Sequence, residues 1–152
     1  MHYEIIAIGN LKRSFLIEGC AFYFKRIKTF SKIEVVEIKA SKNSSSEKVQ
    51  TEESHHLLNK AKSYTIALDE KGKTFNSRQL AKHITKLELQ GISHLSLLIG
   101  GAHGHTSELK KQVNELWRLS DLTLPHELAR LVLLEQLYRV ESIRANHPYH
   151  KL

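Results

Sequence analysis

Two stretches of the chain carry residue types and spacings suited to chemistry. The first is Gly100-Gly101-Ala102-His103-Gly104, set between an apolar segment and the start of a helix. Glycines in such a loop allow positive φ and close approach of backbone to a ligand. Its G-G-x-x-G spacing is not the G-x-G-x-x-G of dinucleotide-binding folds, and no Gly-Lys-Ser/Thr of a phosphate-binding loop follows. A tight strand-to-helix turn without any ligand is the other reading. The second stretch is the C-terminal Arg144-Ala145-Asn146-His147-Pro148-Tyr149-His150-Lys151. Cations, histidines and an aromatic around a stiffening proline suit stacking on a base and contact with phosphate. A tail docked on its own domain is the alternative.

Other chemistries find less support. His103 with His105, and His147 with His150, form H-x-H and H-x-x-H pairs, but no carboxylate or thiolate stands beside them at ligand spacing, so no metal site is expected. His55 and His56 read as solvated. Cys20 lies on an apolar helical stripe and reads as an inert core thiol. No G-x-S-x-G elbow marks a serine hydrolase.

The elements that must position these residues alternate in type. Residues 3–9, 33–38, 64–69 and 94–100 read as strands, the last apolar enough to be covered on both faces. Leu16, Cys20, Tyr23 and Ile27 form one helical stripe, and a polar helix is expected from about residue 47 to 62 after the loop Ser41–Ser46. Residues 70–73 read as a turn closing the third strand. Ser77 is a candidate cap for a helix carrying Leu80, Ile84 and Leu87 and stopping at Gly91. Thr106 caps a further helix, whose expected stripe is Leu109, Val113, Leu116 and Trp117. Pro125 suits the first turn of a last helix from about residue 126 to 142. That helix is apolar nearly all round and must be buried, with a subunit interface involving Leu131, Leu134 and Leu137 as the expected site. The pattern predicts one α/β domain over residues 1–152, with a mostly parallel sheet of about five strands. Ligands in such sheets sit at the carboxyl ends of strands, which singles out the loops after Leu68-Asp69, after Ile99 and around residues 120–125.

Composition is consistent with that reading. At 152 residues, 41% hydrophobic and 26% charged, the chain is long enough and apolar enough for one self-sufficient core. A single cysteine excludes a disulfide framework. No apolar run reaches the length of a membrane span and no export signal opens the sequence, so a cytoplasmic location is expected. Lysine and arginine exceed acids by 23 to 16, a net charge of +7 that favours a polyanionic partner.

Four ordered motifs then resemble a known family. Leu98-Ile99-Gly100-Gly101-x-x-Gly104, Leu122-Thr123-Leu124-Pro125-His126-Glu127-Leu128-Ala129-Arg130, Leu133-Leu134-Glu135-Gln136-Leu137-Tyr138-Arg139 and Asn146-His147-Pro148-Tyr149-His150-Lys151 are similar to the RlmH-type methyltransferases of the SPOUT superfamily. The likeness covers the whole chain. It departs at Ala102-His103, where the family commonly has Pro-Glu or similar, near residues 91–94, and through residues 41–62. The resemblance implies a C-terminal deep trefoil knot, a homodimer, and S-adenosyl-L-methionine as cofactor. It implies methylation of N3 of a pseudouridine in large-subunit (23S) ribosomal RNA, on assembled ribosomes or subunits. It places the cofactor on Leu68, Gly101, Ser120, Asp121, Leu122, Thr123, Leu124 and Pro125. Arg139, Tyr149 and His150 become the catalytic candidates, Arg139 as an electrostatic group and His150 as the better proton acceptor. A catalytically inactive RNA-binding module of the same fold is the competing expectation. A nucleotide-dependent oxidoreductase lacks its phosphate fingerprint.

Overall fold

A computed structural model describes residues 1–151; the last position of the expected domain, residue 152, lies outside the described residues. Five strands form one sheet in the order β2-β1-β4-β3-β5: β1 (His2–Ile8), β2 (Lys32–Ile38), β3 (Tyr64–Thr74), β4 (His94–Ile99) and β5 (Glu115–Arg118). Every pairing is parallel, so all the strands end at one rim. The helices are α1 (Ser14–Ile27), α2 (Ser46–Lys60), α3 (Ser77–Leu89), α4 (Ser107–Gln112) and α5 (His126–Arg144), followed by a 3-10 turn, Pro148–Lys151.

Alternation along β1 divides the core. Tyr3, Ile5 and Ala7 face a larger cluster with residues of α1, α3 and α5, while Ile6 and Ile8 face a smaller one with Leu57 of α2 and Leu109 of α4. Helices thus cover both faces of the sheet, which is why the central strands β1 and β4 are mostly apolar, with Glu4 and Ser96 buried and hydrogen-bonded to each other.

The fifth strand, left without bounds by the sequence, is Glu115–Arg118, and three expectations change. The 3.6-residue spacing of Leu109, Val113, Leu116 and Trp117 suggested a continuous helix, but α4 stops at Gln112. Pairing with β3 draws the next residues into a strand, helped by Asn114 Oδ1, which accepts from Thr65 N at 2.8 Å. β3 itself does not turn at residues 70–73. It continues to Thr74, but Leu68 and Lys73 both pair with Trp117, so residues 69–72 bulge out of the ladder before pairing resumes, and Gly72 there is packed so closely that a Cβ would sit 2.5 Å from the Trp117 carbonyl carbon. The helix cap expected at Ser77 falls one residue earlier, on Asn76, in a reciprocal capping box with Gln79.

The apolar circumference of α5 is explained mostly within the protomer. Leu133, Leu134, Leu137 and Val140 are almost fully buried in the main cluster, so Leu134 and Leu137 are core residues and not an exposed interface. Leu131 is half-buried and packs on α1, where a Cβ on Gly19 would come within 2.9 Å of it.

Candidate functional site

At the carboxyl rim of the sheet, three separated loops converge on a cleft of about 700 Å³. Leu68 and Asp69 contribute from β3, the segment 99–105 from the end of β4, and the segment 117–124 from the end of β5. Of the positions assigned to a cofactor, Leu68, Gly101, Ser120, Asp121, Leu122, Thr123 and Leu124 all line this cleft. Pro125 does not; it is the N-cap of α5, one residue before the helix. The 117–124 segment is shaped locally by Ser120 Oγ, which accepts from Leu122 N at 2.9 Å, and by an Arg118–Asp121 ion pair at 3.1 Å. Leu122 is left 77% exposed at the mouth, an apolar side chain with little of its own protein over it.

The glycine loop is held from behind by α2. Gln50 Nε2 donates to the carbonyls of His103 and His105 at 3.0 and 3.1 Å. Thr106 N donates to Ser54 Oγ at 3.1 Å. Glu53, almost fully buried, accepts from Ser41 N through Oε2, and its Oε1 has no partner among the described residues. Oε1 lies where a side chain on Gly101 would go: an added Cβ would be 2.8 Å from it and 3.2 Å from Ile8 Cγ2. Gly101 therefore permits packing against α2, whereas the positive φ expected of the loop is found only at Gly104. Gln50, Glu53 and Ser54 escaped the sequence reading. Their i, i+3, i+4 spacing on a weakly apolar helix was the available signal, because it puts three polar groups on one face.

Charged and titratable groups complete the cleft. Burial pushes the Asp69 carboxyl up, but the Lys71 backbone N–H at 2.9 Å and the Lys110 ammonium at 3.0 Å outweigh it and leave it below its ordinary range. His105 is buried, and burial pushes its ring below the usual histidine range, so it is held neutral. Neither of its ring nitrogens has a partner of hydrogen-bonding geometry, although the carbonyls of Leu68 and Leu98 are near. His103, two residues away, is exposed. Among the described residues no three potential metal ligands come together.

The catalytic candidates lie elsewhere. Tyr149 docks on α5 with its ring 4.3 Å from that of Tyr138, and its hydroxyl donates to Glu135 Oε1 at 3.0 Å. Arg139 donates to the same Oε1 through Nε and Nη2 at 3.0 and 2.6 Å, and its guanidinium carbon lies 5.1 Å from the Tyr149 ring centre. Burial, Tyr23 and Glu135 push the Tyr149 phenol well above its ordinary range, so it remains protonated. His150 turns toward α3 with a buried Nδ1 that has no partner among the described residues. The structure therefore gathers Arg139 and Tyr149 on Glu135 but not at the cleft. His126 lines the cleft and Arg139 follows thirteen residues later on the same helix, a separation of about 20 Å along its axis.

The chain is similar to known proteins over nearly all its length. The family described as Predicted SPOUT methyltransferase matches residues 1–150. A protein of Natranaerobius thermophilus named Ribosomal RNA large subunit methyltransferase H is 39% identical over 158 residues, covering 99% of both chains. Proteins of the same name from Bacillus cytotoxicus and Streptococcus uberis are 40% and 36% identical, each over 99% of this chain and 100% of theirs. Among solved structures, a probable methylase family protein from Haemophilus influenzae superposes with a TM-score of 0.57 at 13% identity, covering 97% of this chain and 69% of that one, a likeness of fold.

Proposed function

The chain belongs to the SPOUT methyltransferase family, and from that premise we propose that it methylates large-subunit ribosomal RNA with S-adenosyl-L-methionine held in the strand-end cleft. The observation that carries this reading is the convergence of Leu68, Gly101 and the 120–124 loop, far apart in sequence, on one cleft. The cofactor fits what the cleft presents. The volume is in the range of small-molecule sites, Leu68, Ile99, Leu119, Leu122 and Leu124 give apolar patches within a mostly polar lining, and His105 keeps two unpartnered ring nitrogens beside the glycine loop. When bound, the cofactor supplies an electrophilic methyl group on a sulfonium.

The proposed acceptor is N3 of a pseudouridine, an imide nitrogen that becomes a good nucleophile only as its proton leaves. Arg139 stays cationic and Tyr149 stays protonated, so these two orient the base and stabilise developing negative charge. His150 is the proposed proton acceptor, and its Nδ1, buried toward α3, must turn out toward the base to act. The distance from tail to cleft supports a homodimer in which the tail of one copy serves the cleft of the other. Phe15 and Phe22, exposed at 62% and 46% and seven residues apart on one face of α1, support self-association as well. The same reading extends to a trefoil knot in which the C-terminal chain threads a loop. Among the described residues no helix is long and apolar enough to cross a membrane.

The test is calorimetry with S-adenosyl-L-methionine together with transfer of labelled methyl to ribosomal subunits lacking the modification. Binding followed by incorporation into large-subunit RNA is the expected result, and removal of residues 149–152 should spare most cofactor binding while abolishing transfer. Binding without incorporation into any ribosomal RNA would instead favour the inactive RNA-binding module.

A further inference from the structure

A second groove, of about 420 Å³, runs between α3 and the end of α5 on a part of the surface separate from the cofactor cleft. Its floor is apolar, formed by Ala81 and Ile143, and Leu89, 84% exposed, stands at its edge. Along one side stand Arg78, Lys82 and Lys86, at i, i+4 and i+8 of α3 and therefore on one face about 6 Å apart along the axis. All three are exposed, and none has an acidic partner within 4 Å among the described residues. Arg144 also lines the groove but is held by Glu141 and Glu88, so it contributes shape more than free charge. No acidic side chain lines the groove. At its far end is His150, a member of the proposed reactive tail.

The geometry points to this groove as the docking track for a single-stranded segment of substrate RNA flanking the modified nucleotide. A row of unpaired cations beside an apolar floor matches a strand that offers phosphates on one side and base faces on the other. Continuity with His150 puts the track next to the tail that would meet the target base. A second copy of the chain is a poor occupant, because a two-fold contact would set each cationic row against its own kind. The inference rests on the reading of the chain as acting on ribosomal RNA, and it adds where that RNA lies.

The test compares Arg78→Gln/Lys82→Gln/Lys86→Gln with a control triple, Lys42→Gln/Lys48→Gln/Lys60→Gln, that removes the same three charges from exposed positions near or on α2. Binding to a short single-stranded ribosomal RNA fragment is measured against salt, alongside KM for ribosomal subunits and affinity for S-adenosyl-L-methionine. The groove triple should weaken RNA binding roughly tenfold and flatten the logarithmic salt slope by about 2, three phosphate contacts at about 0.7 each. Cofactor affinity and kcat should hold, and the control triple should stay within about twofold of wild type. Equal losses in both triples would mean that only net charge matters, and would overturn the inference. So would a change of oligomeric state in the groove triple, which would make the groove a protein interface. A wild-type enzyme that binds the fragment through these residues yet methylates no ribosomal RNA would overturn the functional reading while leaving the track in place.

Discussion

Replacing Gly101 with alanine tests how the glycine loop is built. The new Cβ would stand 2.8 Å from Glu53 Oε1, and ordinary contact begins near 3.4 Å, so something must yield by 0.6 Å. If Glu53 retreats, the bond from Ser41 N to its Oε2 is strained; if the loop lifts, the Gln50 bonds to the His103 and His105 carbonyls lengthen. Ile8 Cγ2 at 3.2 Å blocks the sideways escape. Overpacking of this kind costs about 1–3 kcal/mol. Since the loop lines the cleft, about 1.4 kcal/mol of that cost reappearing in binding would weaken cofactor affinity roughly tenfold. Calorimetry with S-adenosyl-L-methionine on wild type, Gly101→Ala, Glu53→Ala and the double variant forms a complete cycle. Deleting the obstructing carboxylate should relieve the clash, giving a coupling of at least about 0.5 kcal/mol in favour of the double variant. Thermal unfolding of all four should show the same sign. A Gly101→Ala protein with affinity within about twofold of wild type and an unchanged Tm would refute this account, as would strictly additive losses.

Glu135 accepts from both Arg139 and Tyr149, so Glu135→Ala should release both and reduce kcat on ribosomal subunits by roughly tenfold or more, with cofactor affinity unchanged, and an equal fall in affinity would argue against a tail-positioning role. His105 is held neutral in the fold, so below about pH 6.5 the unfolded chain binds more protons and stability must fall with pH, by at most about 1.4 kcal/mol per pH unit. Urea titrations from pH 7.5 to 5.5 should show that loss in wild type and a smaller one in His105→Leu; parallel curves would dismiss His105 as its source. Phe15→Glu/Phe22→Glu should convert the expected dimer to a monomer in sedimentation and suppress methyl transfer, whereas a double variant that remains dimeric would place the interface elsewhere.

Much of the site was legible because glycine spacing, caps and strand ends are local signals. The loops at Leu68, Gly101 and 120–124 could be singled out before any geometry, and Thr106 caps α4 as its sequence suggests, accepting from Leu109 N. What was not legible depends on contacts made across the fold. Glu115–Arg118 is too short to show an alternating pattern and becomes a strand only by lying beside β3. Glu70, Lys71 and Gly72 looked like the end of the strand because they do leave the ladder there, but as a bulge after which β3 resumes pairing at Lys73. The grip of Gln50 on carbonyls more than fifty residues away shows in the sequence only as one polar helix face, with nothing in the spacing to say what that face holds. Leu134 and Leu137 carry the apolar signature of an interface, but the same signature serves a helix sunk between α1 and α3.

The position of β1 between β2 and β4 also has a kinetic consequence during synthesis. Tyr3, Ile5 and Ile8 are almost fully buried in the finished fold, yet β4, one of the two strands β1 pairs with, begins at His94 and α5 at His126. At roughly 5–20 residues per second, β1 emerges about 5–20 s before β4 exists to pair with it, and longer still before Glu141 on α5 can accept from the Tyr3 hydroxyl. For that interval an apolar strand is exposed with at most one neighbour, so the nascent chain depends on being shielded or on completing its C-terminal third without pause. A ribosome stalled within the segment after β3 would release a product with an open sheet edge, prone to pairing with other chains, so production of this fold is most sensitive to delay in the second half of its message.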